Sequence, residues 1–160
     1  LKKICDALRE SLDMSNITEF TVEAGRPDTI TEEKLKVLKE ASVTRISINP
    51  QTFSDEVLKN IGRRHSSSDI YEKFSLAREL GFDNINTDLI AGLSGDTYES
   101  FCHSVDEIIH LNPENVTVHT LSMKRASNLT KSQTVFDLKE GEAVAKMVDY
   151  ARLKLTENGI

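Results

Sequence analysis

The sequence predicts an α/β fold of parallel (β/α) units, a slice of a partial TIM-type barrel. Three observations carry that expectation. Strand-like and helix-like segments follow one another as α-β-α-β-α-α-β-α-β-loop-α, which calls for parallel strands joined by helical crossovers. The strands themselves alternate in character. Phe20, Val22, Ile46, Ile48, Ile85, Val116 and Val118 share one face, while Glu23, Ser47, Asn49, Asn86, Asp88, Thr117 and His119 share the other. A doubly wound sheet buries both faces under helices and reads as continuous apolar runs, whereas the inner face of a barrel can line a cavity. Finally, the polar residues gather toward the strand C-terminal ends, where barrel enzymes place their sites. A closed barrel usually takes about 250 residues. The 160 residues here are therefore read as part of one barrel domain, about four βα units.

Each element has its local signal. Residues 1–13 place Leu1, Ile4, Cys5, Leu8 and Leu12 on one helical stripe, with Cys5 acting as a small core hydrophobe. The first strand, around Phe20 to Glu23, is broken by Gly25, Pro27 and Asp28. A helix starts near Thr29 or Thr31, with Glu32 and Glu33 in its positive first turn and Leu35 and Leu38 inward. The second strand, 44–49, stops at Pro50 and leaves Gln51 just beyond it. A short helix over 54–61 ends at Gly62, and Arg63, Arg64 and His65 follow. Ser68 or Asp69 is expected to cap the next helix, which faces inward with Ile70, Phe74, Ala77 and Leu80.

The stretch Asn84–Gly95 forms the third strand, with Asp88 at its centre and a Gly-rich turn at its end. Asp96 and Glu99 have capping-box spacing for a helix whose stripe is Phe101, Val105, Ile108 and Ile109. Cys102 lies beside that stripe and reads as structural. Pro113 precedes the fourth strand, 115–120. Residues 122–138 are polar and irregular, which suits a binding loop or an insertion. A last helix over about 140–158 presents Val144, Met147, Val148, Ala151 and Leu155.

Bulk properties narrow the function. The composition is ordinary at 38% hydrophobic and 29% charged, and no apolar run approaches the span of a bilayer. A net charge of −6 with no basic stripe speaks against a nucleic-acid platform. The two cysteines, Cys5 and Cys102, have no metal-ligand spacing. The expectation is a reduced, cytoplasmic protein without a membrane or nucleic-acid partner. His65, His103 and His110 are expected at the surface, and His119 is expected to be structural. Glu23, Gln51 and Asp88 converge on one lumen, where a ligand is a better account than costly mutual pairing.

Five segments then come in a telling order: Glu23-Ala24-Gly25-Arg26-Pro27-Asp28, Ile46-Ser47-Ile48-Asn49-Pro50-Gln51-Thr52, Gly62-Arg63, Asn86-Thr87-Asp88-Leu89-Ile90-Ala91-Gly92-Leu93 and Leu111-Asn112-Pro113. Their order and spacing resemble radical S-adenosylmethionine (SAM) enzymes of the oxygen-independent coproporphyrinogen III oxidase family. The first segment and residues 118–127 are most similar to its coproporphyrinogen dehydrogenase branch, typical of Gram-positive bacteria. The resemblance implies that Gln51 is a polar SAM contact and that Asp88 accepts hydrogen bonds from the ribose hydroxyls. It implies that Arg63 pairs with the methionyl carboxylate, that Glu23 is a further polar contact, and that Ile90 offers apolar surface to the adenosyl group. Ser122 falls at a small-residue contact after the fourth strand. The competing structural readings are an exposed helix-end cation for Arg63 and a Glu23–Arg45 pair. Arg64, Lys124 and Arg125 would either steer a polycarboxylate or serve as solvated loop cations.

The resemblance further implies a [4Fe–4S] cluster, an electron donor and a porphyrinogen substrate. Two propionates of coproporphyrinogen III would be oxidatively decarboxylated to vinyl groups by a 5′-deoxyadenosyl radical. Two departures stand out. Leu93-Ser94-Gly95 replaces the family's Leu-Pro-Gly, and the Cys-x3-Cys-x2-Cys cluster motif is not in the sequence. The chain is accordingly expected to be an internal piece, inactive alone, lacking the cluster-binding part and the terminal regions that hold substrate. A haem-binding or haem-transfer relative on the same barrel is the alternative function, and a barrel piece of an unrelated enzyme is a third.

Overall fold

A computed structural model describes residues 1–121 and 138–160. The elements run α1 (Lys2–Ser11), β1 (Thr21–Gly25), a single 3-10 turn (Pro27–Thr29), α2 (Glu32–Glu40), β2 (Arg45–Gln51), α3 (Asp55–Asn60), α4 (Ser67–Glu79), β3 (Ile85–Ala91), α5 (Tyr98–Leu111), β4 (Asn115–Thr120) and α6 (Leu138–Glu157). The four strands form one parallel sheet in the order β1-β2-β3-β4. That order decides the architecture. Right-handed crossovers that always step to the next position put every connecting helix on the same side of the sheet. Among the described residues the other face carries no helix, as a barrel slice requires and a doubly wound sheet does not.

The helix side carries the core in two joined clusters. Ile46, Ile48 and Ile85 pack with Leu35 and Leu38 of α2 and with Phe74 and Ala77 of α4. Leu89 and Ala91 pack with Phe101, Val105 and Ile108 of α5 and with Met147 and Ala151 of α6. Removing each such side chain from water is worth about 1.5–3 kcal/mol. At the N-terminal ends of the strands, Arg78 donates to both Glu114 carboxylate oxygens, at 3.0 and 2.9 Å, and Glu114 also accepts from the Ile85 N–H at 2.8 Å. This fork ties α4, β3 and the approach to β4 together.

Three local expectations are corrected. The stripe of the first helix is not a core stripe: only Cys5 is buried, while Ile4 is 63% and Leu12 54% exposed. The helix lies beside α2, where only Cys5 joins the apolar cluster of Leu35 and Leu38, and Arg9 donates to the Glu40 carbonyl and the Ser42 hydroxyl. Capping of α4 falls to Ser66, in a reciprocal box with Asp69, so Asp69 is the partner and Ser68 is not the cap. The helix α5 is capped by Thr97, whose hydroxyl accepts from the Ser100 N–H, and Asp96 precedes it.

Candidate functional site

The helix-free face gathers a continuous polar network. Parallel register sets Glu23 beside Ser47 and Ser47 beside Asn86, with Asp88 beside Thr117 and Ile90 beside His119 one and two steps further along. Asn86 donates to Asp88 Oδ1 at 2.9 Å and accepts from Thr117 at 3.3 Å and Arg45 at 3.4 Å. His119 Nε2 stands 3.6 Å from Asp88 Oδ2, too far for a good hydrogen bond. Asp88 thus keeps one oxygen largely uncommitted, with its side chain 17% exposed toward the open face.

Glu23 is held by Asn49, whose amide nitrogen donates to Glu23 Oε1. The anticipated Glu23–Arg45 pair does not form, because Arg45 lies nearer the strand start and reaches Glu19 at 3.4 Å instead. The Asn49 carbonyl oxygen is buried and has no partner. Backbone irregularities aim the next residues. Register slips between Glu23 and Gly25 in β1 and between Ile48 and Gln51 in β2, both near the strand C-terminal ends. Such bulges re-aim side chains and recur beside binding sites. Gln51 takes φ 72°, a left-handed conformation unusual for a residue with a Cβ.

Arg63 owes its position to the end of α3. The Gly62 N–H bonds the Lys59 carbonyl and the Arg63 N–H bonds the Leu58 carbonyl, a Schellman closure with Gly62 left-handed at φ 74°. Arg63 is half-buried. Burial and the neighbouring Arg26 pull its guanidinium below its usual value, and Asp28 opposes them. Among the described residues Arg63 makes no ion pair, so its donors are available to a ligand.

His65 is not at the surface, contrary to expectation. It is buried, with Nε2 3.3 Å from the Pro50 carbonyl and Nδ1 unpartnered, 3.8 Å from Asp28 Oδ1. The sequence carried no signal for this, since the ring is buried by a loop fold and not by a periodic face. His103 and His110 are exposed as expected. Ser122, Lys124 and Arg125 lie outside the described residues.

Glu23, Gln51, Arg63, Asp88 and Ile90 all sit on the strands of the helix-free face or in the loop at their C-terminal ends. A carboxylate with a free lone pair, a buried amide, an unpaired guanidinium and an apolar side chain suit a zwitterionic nucleoside. By contrast, the described residues do not fit an iron–sulfur cluster. Cys5 lies in the core below β1 and Cys102 on α5, and no three Cys, His, Asp or Glu side chains gather as a metal site among the described residues. No described helix is long and apolar enough to cross a membrane.

Comparison with known proteins agrees with this geometry. The sequence pattern described as the Radical SAM superfamily matches residues 1–108. Over 154 residues the chain is 48% identical to the oxygen-independent coproporphyrinogen-III oxidase-like protein HemZ of Bacillus subtilis, covering 96% of this chain and 31% of that protein. It is 38% identical over 164 residues to the heme chaperone HemW of the same organism, covering 100% of this chain and 43% of HemW. The structure of coproporphyrinogen III oxidase HemN from Escherichia coli, a radical SAM enzyme, superimposes with a TM-score of 0.84 at 24% identity, over 98% of this chain and 36% of HemN. The chain thus spans less than half the length of each of these relatives.

Proposed function

The chain belongs to the radical SAM superfamily, and from that premise we propose that its helix-free face forms part of a SAM pocket in a coproporphyrinogen III-decarboxylating oxidoreductase. The observation that supports the reading is that Glu23 and Asp88 lie on the polar face of β1 and β3, with Gln51 at the end of β2 and Arg63 in the connection that follows α3. The 48% identity to the oxidase-like relative supports the choice of substrate. SAM, when bound, supplies a carbon radical able to take hydrogen from an unactivated side chain. The chain's own residues would bind and orient it. Arg63 offers a planar, permanently charged fork to the methionyl carboxylate. Asp88, steadied through Oδ1 by Asn86, accepts from the ribose hydroxyls. Gln51 and Glu23 take the remaining polar groups, and Ile90 covers the adenosyl face. None of these groups is required to move a proton. The described residues offer no ligand set for the cluster that this chemistry needs.

The test is anaerobic conversion of coproporphyrinogen III by the whole protein after iron–sulfur reconstitution. The expected result is protoporphyrinogen IX with two CO2 released per molecule, and loss of turnover in Asp88→Ala together with weakened SAM binding. The 38% identity to a heme chaperone favours a second reading, a haem-transfer protein on the same barrel. Tight haem binding without any turnover would replace the first reading with the second.

A further inference from the structure

The pairing of β2 with β3 slips between Ile48 and Gln51, Gln51 takes a left-handed conformation, and the intervening Pro50 is buried. A buried carbonyl without a donor costs about 1–3 kcal/mol. The donor comes from 15 residues away, His65 Nε2 at 3.3 Å. A carbonyl only accepts, so Nε2 carries the ring proton, and in the neutral ring Nδ1 is then an acceptor. Asp28 Oδ1 lies 3.8 Å from Nδ1 and also only accepts, so the two make no bond and Nδ1 stays unpartnered. Burial pushes the imidazole below its ordinary value, in keeping with a neutral ring.

His65 sits two residues after Arg63 in the short connection between α3 and α4, and its one hydrogen bond reaches the residue before Gln51. We propose that His65 is a positioning residue that locks two cofactor contacts together, holding the left-handed turn that aims Gln51 and the loop that carries Arg63. This rests on the SAM reading of Gln51 and Arg63. The ring touches no ligand itself; it acts through the Pro50 carbonyl.

The two histidine nitrogens can be told apart by substitution. Glutamine places an amide donor where Nε2 stands, whereas asparagine is shorter and places its amide near Nδ1. SAM affinity is measured on the reconstituted whole protein without reductant, alongside the thermal midpoint. The expected result is a loss of affinity of about tenfold or more in His65→Asn, with most of it restored in His65→Gln. A double-mutant cycle of His65→Asn with Gln51→Ala should be clearly less than additive, because both changes remove the same aimed contact. A purely structural histidine would lower the midpoint in both variants and give additive losses, and that result overturns the proposal. Unchanged affinity in a folded His65→Asn overturns it as well. If the unsubstituted protein binds no SAM, the cofactor reading fails and this proposal falls with it; if the unsubstituted protein binds and the variants match it, this proposal alone fails.

Discussion

The centre of the sheet and its β1 edge carry similar sequence patterns and meet different fates. In β2 and β3, Ile46, Ile48, Ile85 and Leu89 are fully buried, with helices on one side and a strand on each flank. At the edge, α1 has an equally regular apolar stripe, yet Leu1 is 50% and Ile4 63% exposed. A cleft of about 140 Å³ opens there between Leu1, Val22, Leu35 and Leu38; of the candidate site residues Glu23 borders it, while Gln51, Arg63 and Asp88 do not. Amphipathic periodicity is a statement about one segment, whereas burial needs a second surface to meet it.

That contrast can be broken by mutation. Ile48→Ala should cost about 2–5 kcal/mol through lost transfer energy and an unfilled cavity, while Ile4→Ala should stay within about 0.5 kcal/mol. Urea unfolding of the two variants checks this, and equal losses would mean that the edge is as well packed as the centre. A smaller contrast separates two ion pairs. Glu114→Ala strips both Arg78 and the Ile85 N–H of a partner and should cost about 1–3 kcal/mol. Glu19→Ala removes a partner of Arg45 at a side chain 53% exposed, where solvent screens the pair, and should cost clearly less than Glu114→Ala.

The smallest effect concerns pH. His65 is faced by the Pro50 carbonyl, by Asp28 after β1, by Arg63 in its own loop and by Asp69 of α4; burial, with Arg63 on its side, outweighs the carbonyl and the two carboxylates and holds its value below the ordinary 6.5. As pH falls below about 6.5 the unfolded chain therefore takes up a proton before the folded one does. Stability should decline from there until the folded value is passed. His65→Gln should flatten this part of the stability–pH curve, measured by unfolding at stepped pH above the carboxylate range.

The α/β class, the parallel units and the polar inner face were legible because they follow from alternation, which is local. Glu23, Gln51, Arg63 and Asp88 were legible as candidates through their order and spacing. Their partners were not. Glu23 turned to Asn49 and not to Arg45 because register and bulges fix which side chains come level. His65 looked like one more polar residue in a Ser-rich loop, and only the return of that loop beneath β2 buried its ring.

The sequence by itself determined the period of each segment, the ends at Gly25 and Gly62, and the charge types offered to a ligand, whereas β2 runs through Pro50 to Gln51 and does not stop at Pro50 as its sequence suggests. Tertiary structure alone decided that Glu23 meets Asn49 and that Gln51 sits in a left-handed turn. It also decided that a buried histidine supplies the donor this turn lacks. Periodicity is written residue by residue, but satisfying a buried carbonyl depends on what the rest of the chain brings within hydrogen-bond distance.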